Sequence, residues 1–227
     1  MKSIFKNIQG DSVIWAIIGV LAIFSFLPVY SASSNLAYLY GDGNTFKFLA
    51  KHFAHLVLGF GILYGVHKIP YHYFKGLSMI ALPIVVVLLL LTMAQGTTIG
   101  GANASRWIRV PLVGVTFQTS TLAAVVLMTY VARYLSTIES RLISFKETLL
   151  PLWLPVFLII GLILPANFST AAIIFAMVVL LVFIGGYPFK YLALVLTAGL
   201  LFLSLFVLTA KAFPDVFPNR VDTWISR

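Results

Sequence analysis

A chain of 227 residues that is 61% hydrophobic and 9% charged cannot hide its apolar surface in a water-soluble core, because soluble domains carry about 25% charged residues. Its solvent must be lipid. It has no cysteine, which excludes disulfides, thiolate catalysis and Cys-based metal sites, and its net charge of +9 points to anionic lipid head groups or an anionic lipid substrate, not to nucleic acid.

A bilayer-spanning helix needs roughly 20 mainly apolar residues. Seven segments meet or approach that length: about 12–30, 46–66, 74–94, 117–135, 149–165, 168–186 and 191–210. The expected fold is therefore all-α, a polytopic membrane helix bundle forming a single integral membrane domain over residues 1–227. The first apolar run has no small-residue cleavage site after it and reads as a retained helix, not a signal peptide. "VYSASS" at 29–34 is expected to end the first span. The fifth span is short and carries Pro151 and Pro155, which predicts a kink that neighbouring helices tolerate. "LPANFS" is barely a turn, so spans five and six are expected to form an antiparallel helical hairpin. The last residues, "KAFPDVFPNRVDTWISR", read as the start of an external loop, as in a fragment or a gene ending early.

Loop charge orients a membrane protein. Lys2, Lys6, Lys68, Lys75, Arg133, Arg141, Lys146 and Lys190 fall on the N-terminal side; Lys47, Lys51, Arg106, Arg109, Lys211, Arg220 and Arg227 fall on the other. The balance leans only slightly toward a cytoplasmic N-terminus. So many cations on the outer side either serve a ligand there or anchor helices at head groups.

The segment between spans three and four, "GTTIGGANASRWIRVPLVG", is long for a link and rich in glycine; loops of that kind are often functional. Arg106 and Arg109 are three residues apart and would share a face on a helical turn. Two guanidiniums on one face suit phosphate oxygens, which they bind in bidentate fashion, and Trp107 suits the interface. The pattern fits a clamp for a lipid-linked phosphate or pyrophosphate at the outer leaflet. It fits equally an interfacial anchor of arginine and tryptophan. "FQTST" at 117–121 opens span four; its polar side chains are expected to cap the helix N-terminus, with hydrogen bonding to neighbouring helices as the alternative.

His52 and His55 lie three apart on span two, but no carboxylate is near them in sequence and Lys51 would repel a cation, so no metal site is expected. The acids Asp11, Asp42, Glu139, Glu147, Asp215 and Asp222 all fall in loops or at helix ends. Proton relays and ion-coupled pumps usually bury acids within the membrane, so those classes lose weight.

Taken in order, these residues resemble the FtsW/RodA/SpoVE family of shape, elongation, division and sporulation (SEDS) proteins, most closely its cell-division branch. Asp11 opens span one and "VYSAS" follows, "SRWIRVPLVGVTFQTS" resembles the family's Arg-Trp-Ile and Gln-Pro-Ser-Glu stretch, "LPANFSTAAII" its Pro-Asp-x-Gly-Thr turn, "LVFIGG" the end of its sixth span, and "NRVDTWISR" the entry to its large external loop. Thr121 stands where the family has an acid, Ala124 where it has a lysine, and Asn167 where it has the aspartate of the turn. The family analogy implies about ten spans in a longer chain.

The implied activity is peptidoglycan glycosyl transfer: polymerisation of glycan strands from lipid II in cell division or cell-shape maintenance, with a class B penicillin-binding protein (a transpeptidase) and other division-machinery proteins as partners. A lipid II flippase and a non-catalytic membrane scaffold are the alternatives. The resemblance implies no cofactor or metal in this chain, and a catalytic aspartate beyond residue 227. It implies a pyrophosphate site at Arg106, Arg109, Lys211 and Arg220, supported by Trp107, Gln118 and Ser120. The implied location is the bacterial inner membrane at the division septum.

Overall fold

The computed structural model describes residues 10–40, 44–95, 98–99, 102–103, 107–109, 116–138 and 144–212. The chain packs as two compact units, Met1–Tyr71 and His72–Arg227.

In the first unit, Asp11 caps helix α1 (Ser12–Phe24), its carboxylate accepting from the Val13 amide at 2.7 Å. Pro28 has no N–H for the Phe24 carbonyl, and its ring crowds the preceding turn. The helix accordingly breaks at Ser25 and resumes as α2 (Phe26–Tyr40). The expected end of the span at "VYSASS" is not observed: α2 runs through it. Ser33 and Ser34 donate back to the carbonyls of Tyr30 and Ser31, so their hydroxyls are satisfied within the helix and need not terminate it. Helix α3 (Thr45–Val66) packs against α2. Across that contact His52 Nε2 lies 2.8 Å from Ser25 Oγ. The Ser25 proton is already donated to the Ala22 carbonyl, so the imidazole is the donor to Ser25.

The second unit holds α4 (His72–Gln95), α5 (Thr119–Ile138), α6 (Phe145–Thr148), α7 (Leu154–Ile163), α8 (Phe168–Ile184) and α9 (Phe189–Ala212). Between α4 and α5 lie two short antiparallel strand pairs: β1 (Thr98–Ile99) with β2 (Ala102–Asn103), and β3 (Trp107–Arg109) with β4 (Thr116–Gln118). The expected kink of span five is a π-helical turn over Leu149–Trp153, joining α6 to α7. Helix α4 packs on α5 and α7, α8 on α5 and α7, and α9 on α8. The α7–α8 contact realises the hairpin expected across "LPANFS".

Leu127 and Val131 of α5, Val156 and Ile159 of α7, and Val178 and Val182 of α8 are fully buried at its centre. On α8 only a stripe is buried (Ala171, Ile174, Val178, Val182), while Ile173, Leu180, Phe183 and Ile184 are exposed. Apolar residues on both faces are what lipid solvent demands. Association then rests on fit and hydrogen bonds, because lipid removes the hydrophobic drive between helices.

Among the described residues, six helical stretches are long and apolar enough to cross a membrane, and α8 is a shorter apolar helix of 17 residues. These are the seven segments expected from sequence. The chain is a multi-pass membrane helix bundle.

Gly185 and Gly186 terminate α8 in a Schellman arrangement. The Tyr187 amide donates to the Val182 carbonyl and the Gly186 amide to that of Phe183, the paired 6→1 and 5→2 bonds of that motif. Gly186 has φ +74°, which a Cβ disfavours. The turn delivers Tyr187 into the core, where its hydroxyl lies 2.6 Å from Thr148 Oγ1 and accepts from Trp153 Nε1 at 3.2 Å. Thr148 already donates to the Phe145 carbonyl, so Tyr187 donates to Thr148 and every proton in the relay is used.

Candidate functional site

The site is assembled where α4, β4–α5 and the α7–α8 turn meet. Thr92 interrupts the apolar run of α4. Its hydroxyl donates to the Leu88 carbonyl at 2.6 Å, and it is hydrogen-bonded to Thr119 Oγ1, 3.1 Å away at the start of α5. Thr92, Thr119 and Ser120 are all buried, so this pair ties α4 to α5 inside a medium that offers no competing water. Thr119 of "FQTST" therefore bonds to a neighbouring helix, one of the two roles weighed for that stretch. Gln118 Nε2 donates to Ser120 Oγ at 2.9 Å, which holds two of the expected supporting residues together. A narrow cleft beside them is lined by Thr92, Thr119, Ser120, Ile163, Ala166 and Asn167, among others.

Asn167 caps α8, its side-chain oxygen accepting from the Thr170 amide at 3.3 Å. Asparagine and aspartate are equally good N-caps. A neutral asparagine is thus a sufficient cap for this helix. Thr121 is exposed and Ala124 is half-buried against the core; neither can form the charged pair that an acid and a lysine there would make.

The hairpin is in register Trp107↔Gln118, Ile108↔Phe117, Arg109↔Thr116. The expectation that Arg106 and Arg109 share a face of a helical turn is overturned for Arg109, whose backbone is extended in β3. β-branched and aromatic residues at Trp107, Ile108, Thr116 and Phe117 favour a ladder over a helix here. Trp107 is half-buried. The Arg109 side chain, Arg106 and Arg220 lie outside the described residues. Lys211 is exposed in the last turn of α9, where a cation is favoured by the carbonyl end of the helix dipole; the described packing of α9 is against α8. The structure therefore joins Trp107, Gln118 and Ser120 in one motif and leaves Lys211 as a separate feature. Thr92 escaped the sequence reading, although one hydroxyl inside "VVVLLLLTMAQ" was the available signal.

The profile of the FtsW/RodA/SpoVE family, described as "cell cycle protein", matches residues 11–227. A protein of Marinomonas mediterranea named "Probable peptidoglycan glycosyltransferase FtsW" is 27% identical over 236 residues, covering 99% of this chain and 56% of that protein. A protein of the same name from Geobacter sp. (strain M18) is 32% identical over 193 residues, covering 82% of this chain and 51% of its own. The chain spans about half the length of these curated relatives. A solved structure titled "Structural coordination of polymerization and crosslinking by a peptidoglycan synthase complex" superposes with a TM-score of 0.54 at 22% identity, covering 89% of this chain and 57% of that one, a likeness of fold. With a family match over nearly its whole length and an Arg-Trp block paired to its Gln-x-Ser block, the chain belongs to the FtsW/RodA/SpoVE family.

Proposed function

We propose that the whole protein is a peptidoglycan glycosyltransferase that polymerises glycan strands from lipid II, with this chain supplying the membrane-embedded part of the donor site. The observation that supports this best is the β3–β4 register, which sets Trp107 opposite Gln118 and Arg109 opposite Thr116 at the mouth of α5. That pairing joins the two most specific sequence blocks of the family in one structural unit.

The acceptor sugar hydroxyl attacks the anomeric carbon of the lipid-linked donor. The bond to the pyrophosphate oxygen breaks, and the hydroxyl proton passes to a carboxylate base. In this reading that base is a carboxylate of the family's large external loop. The leaving diphosphate gains negative charge, and fixed cations lower the barrier to its departure. In this reading Arg106 and Arg109, with Lys211 and Arg220, hold the diphosphate at the outer interface while the polyprenyl tail stays in lipid. Trp107, Gln118 and Ser120 brace the hairpin. The N-terminus is cytoplasmic, the protein works at the septum, and a class B penicillin-binding protein is the partner.

The test is polymerisation of lipid II by the whole protein with its partner transpeptidase. Arg109→Ala and Arg106→Ala are expected to slow turnover about 10–100-fold, the scale of losing a charged donor to a leaving group, with unchanged thermal stability. Normal turnover by both variants removes the clamp. Transfer of lipid II between leaflets with no polymer identifies a flippase instead.

A further inference from the structure

Helix α3 carries a second cationic feature. Lys47, Lys51 and His55 recur every four residues and so lie along one face. All three are exposed, and none is engaged in an ion pair or hydrogen bond among the described residues. The same stripe continues through Ala54, Leu58 and Ile62, all exposed. The opposite face does the packing: Phe53, Leu56, Val57 and Phe60 line a cleft with Gly19, Ala22, Ile23 and Phe26. The basic stripe is therefore turned away from α1 and α2.

Counting from Thr45 at 1.5 Å per residue, Lys47 and Lys51 lie within the first two turns of the helix and His55 about 15 Å along it. Lysine at that depth extends its amine toward the interface, so Lys47 and Lys51 present two ammonium groups at one level.

We propose that the Lys47–Lys51–His55 face of α3 binds an anionic phospholipid, its phosphate held by the two lysines and its acyl chain laid along Ala54, Leu58 and Ile62. Charge complementarity favours this occupant over a protein helix. A lipid phosphate sits at the level that the snorkelling amines reach, where each lysine adds to the attraction for an anionic head group. His55, one turn below, offers a further N–H toward the glycerol esters.

The test uses the full chain in phosphatidylcholine bilayers with spin-labelled phosphatidylglycerol or phosphatidylcholine as the probe. The native chain is expected to immobilise phosphatidylglycerol in preference. Lys47→Gln with Lys51→Gln is expected to reduce that preference about fivefold per lysine lost. The Lys47→Arg, Lys51→Arg pair retains it and controls for folding, and Lys68→Gln with Lys75→Gln leaves it unchanged. Equal immobilisation of both probes by the native chain overturns the proposal. So does an unchanged preference in the double Gln variant, or an equal loss in the Lys68, Lys75 control. The probes carry neither sugar nor diphosphate, so this outcome is independent of the proposed clamp.

Discussion

The phenol of Tyr130, on α5, donates a hydrogen bond of 2.7 Å to the carbonyl of Pro151 in the π-helical turn. In a continuous α-helix that carbonyl would receive the amide of residue 155, but Pro155 has no N–H. The turn instead closes with the Leu154 amide on the Leu149 carbonyl, a five-residue step. A neighbouring helix thus supplies the donor that the proline removes, which is how broken helices persist in lipid.

Tyr130→Phe is expected to destabilise the chain by about 1–2 kcal/mol, the cost of leaving a buried carbonyl short of a donor, at the upper end for interhelical bonds in membranes. Pro155→Ala restores a local N–H, so the Tyr130→Phe penalty should shrink in that background. Reversible unfolding of the four proteins of this cycle in bicelles measures the coupling; additive effects would sever the link between the two residues.

At the C-terminus of α8, a Cβ on Gly185 would come within 2.8 Å of Leu135 Cδ1 and 3.2 Å of the Leu181 carbonyl. The carbonyl belongs to the helix itself and cannot withdraw freely. Gly185→Ala is expected to cost about 1–3 kcal/mol by overpacking. Gly186→Ala, at positive φ, should cost about 1–2 kcal/mol by backbone strain alone. Shortening Leu135 to alanine should relieve the part of the Gly185→Ala penalty that comes from the side-chain clash, not the part from the Leu181 carbonyl, and leave that of Gly186→Ala intact, as read from thermal midpoints.

Tyr187→Phe strands two groups at once, the hydroxyl of Thr148 as acceptor and the indole N–H of Trp153 as donor. The expected loss is about 1–3 kcal/mol, since the indole donor is left buried and unsatisfied. The chain has four tryptophans, so the emission of a variant that keeps Trp153 alone is the readout: a blue shift should accompany the loss of stability. An unshifted spectrum would mean that the indole is not engaged with Tyr187.

Asn167 tests whether charge or capping matters at the α7–α8 turn. Asn167→Ala removes the cap and should cost about 1 kcal/mol. Asn167→Asp keeps it and adds a favourable interaction with the helix dipole of about 0.3–1 kcal/mol. Equal unfolding of Asn167→Ala and the native chain would show that the bond to Thr170 contributes nothing.

The seven apolar segments were legible in the sequence, because a long run of apolar residues has few other uses. Their ends were less so. "VYSASS" looked like a terminus because serine often ends helices, yet Ser33 and Ser34 return their protons to their own helix. The spacing of Arg106 and Arg109 looked helical because only residue count was available, whereas Trp107–Arg109 pairs in antiparallel fashion with Thr116–Gln118. Pro151 and Pro155 announced a kink, but not its π form nor the phenol that serves it.

What sequence alone determined is the solvent, the number of apolar helices and the family, since each depends on composition or on residue order along one chain. What only the tertiary structure decided is which polar groups meet: Tyr130 with Pro151, Thr92 with Thr119, Tyr187 with Thr148 and Trp153. In lipid an unpaired hydroxyl or carbonyl finds no water, so its partner must come from another part of the fold, at a sequence distance that no local pattern encodes.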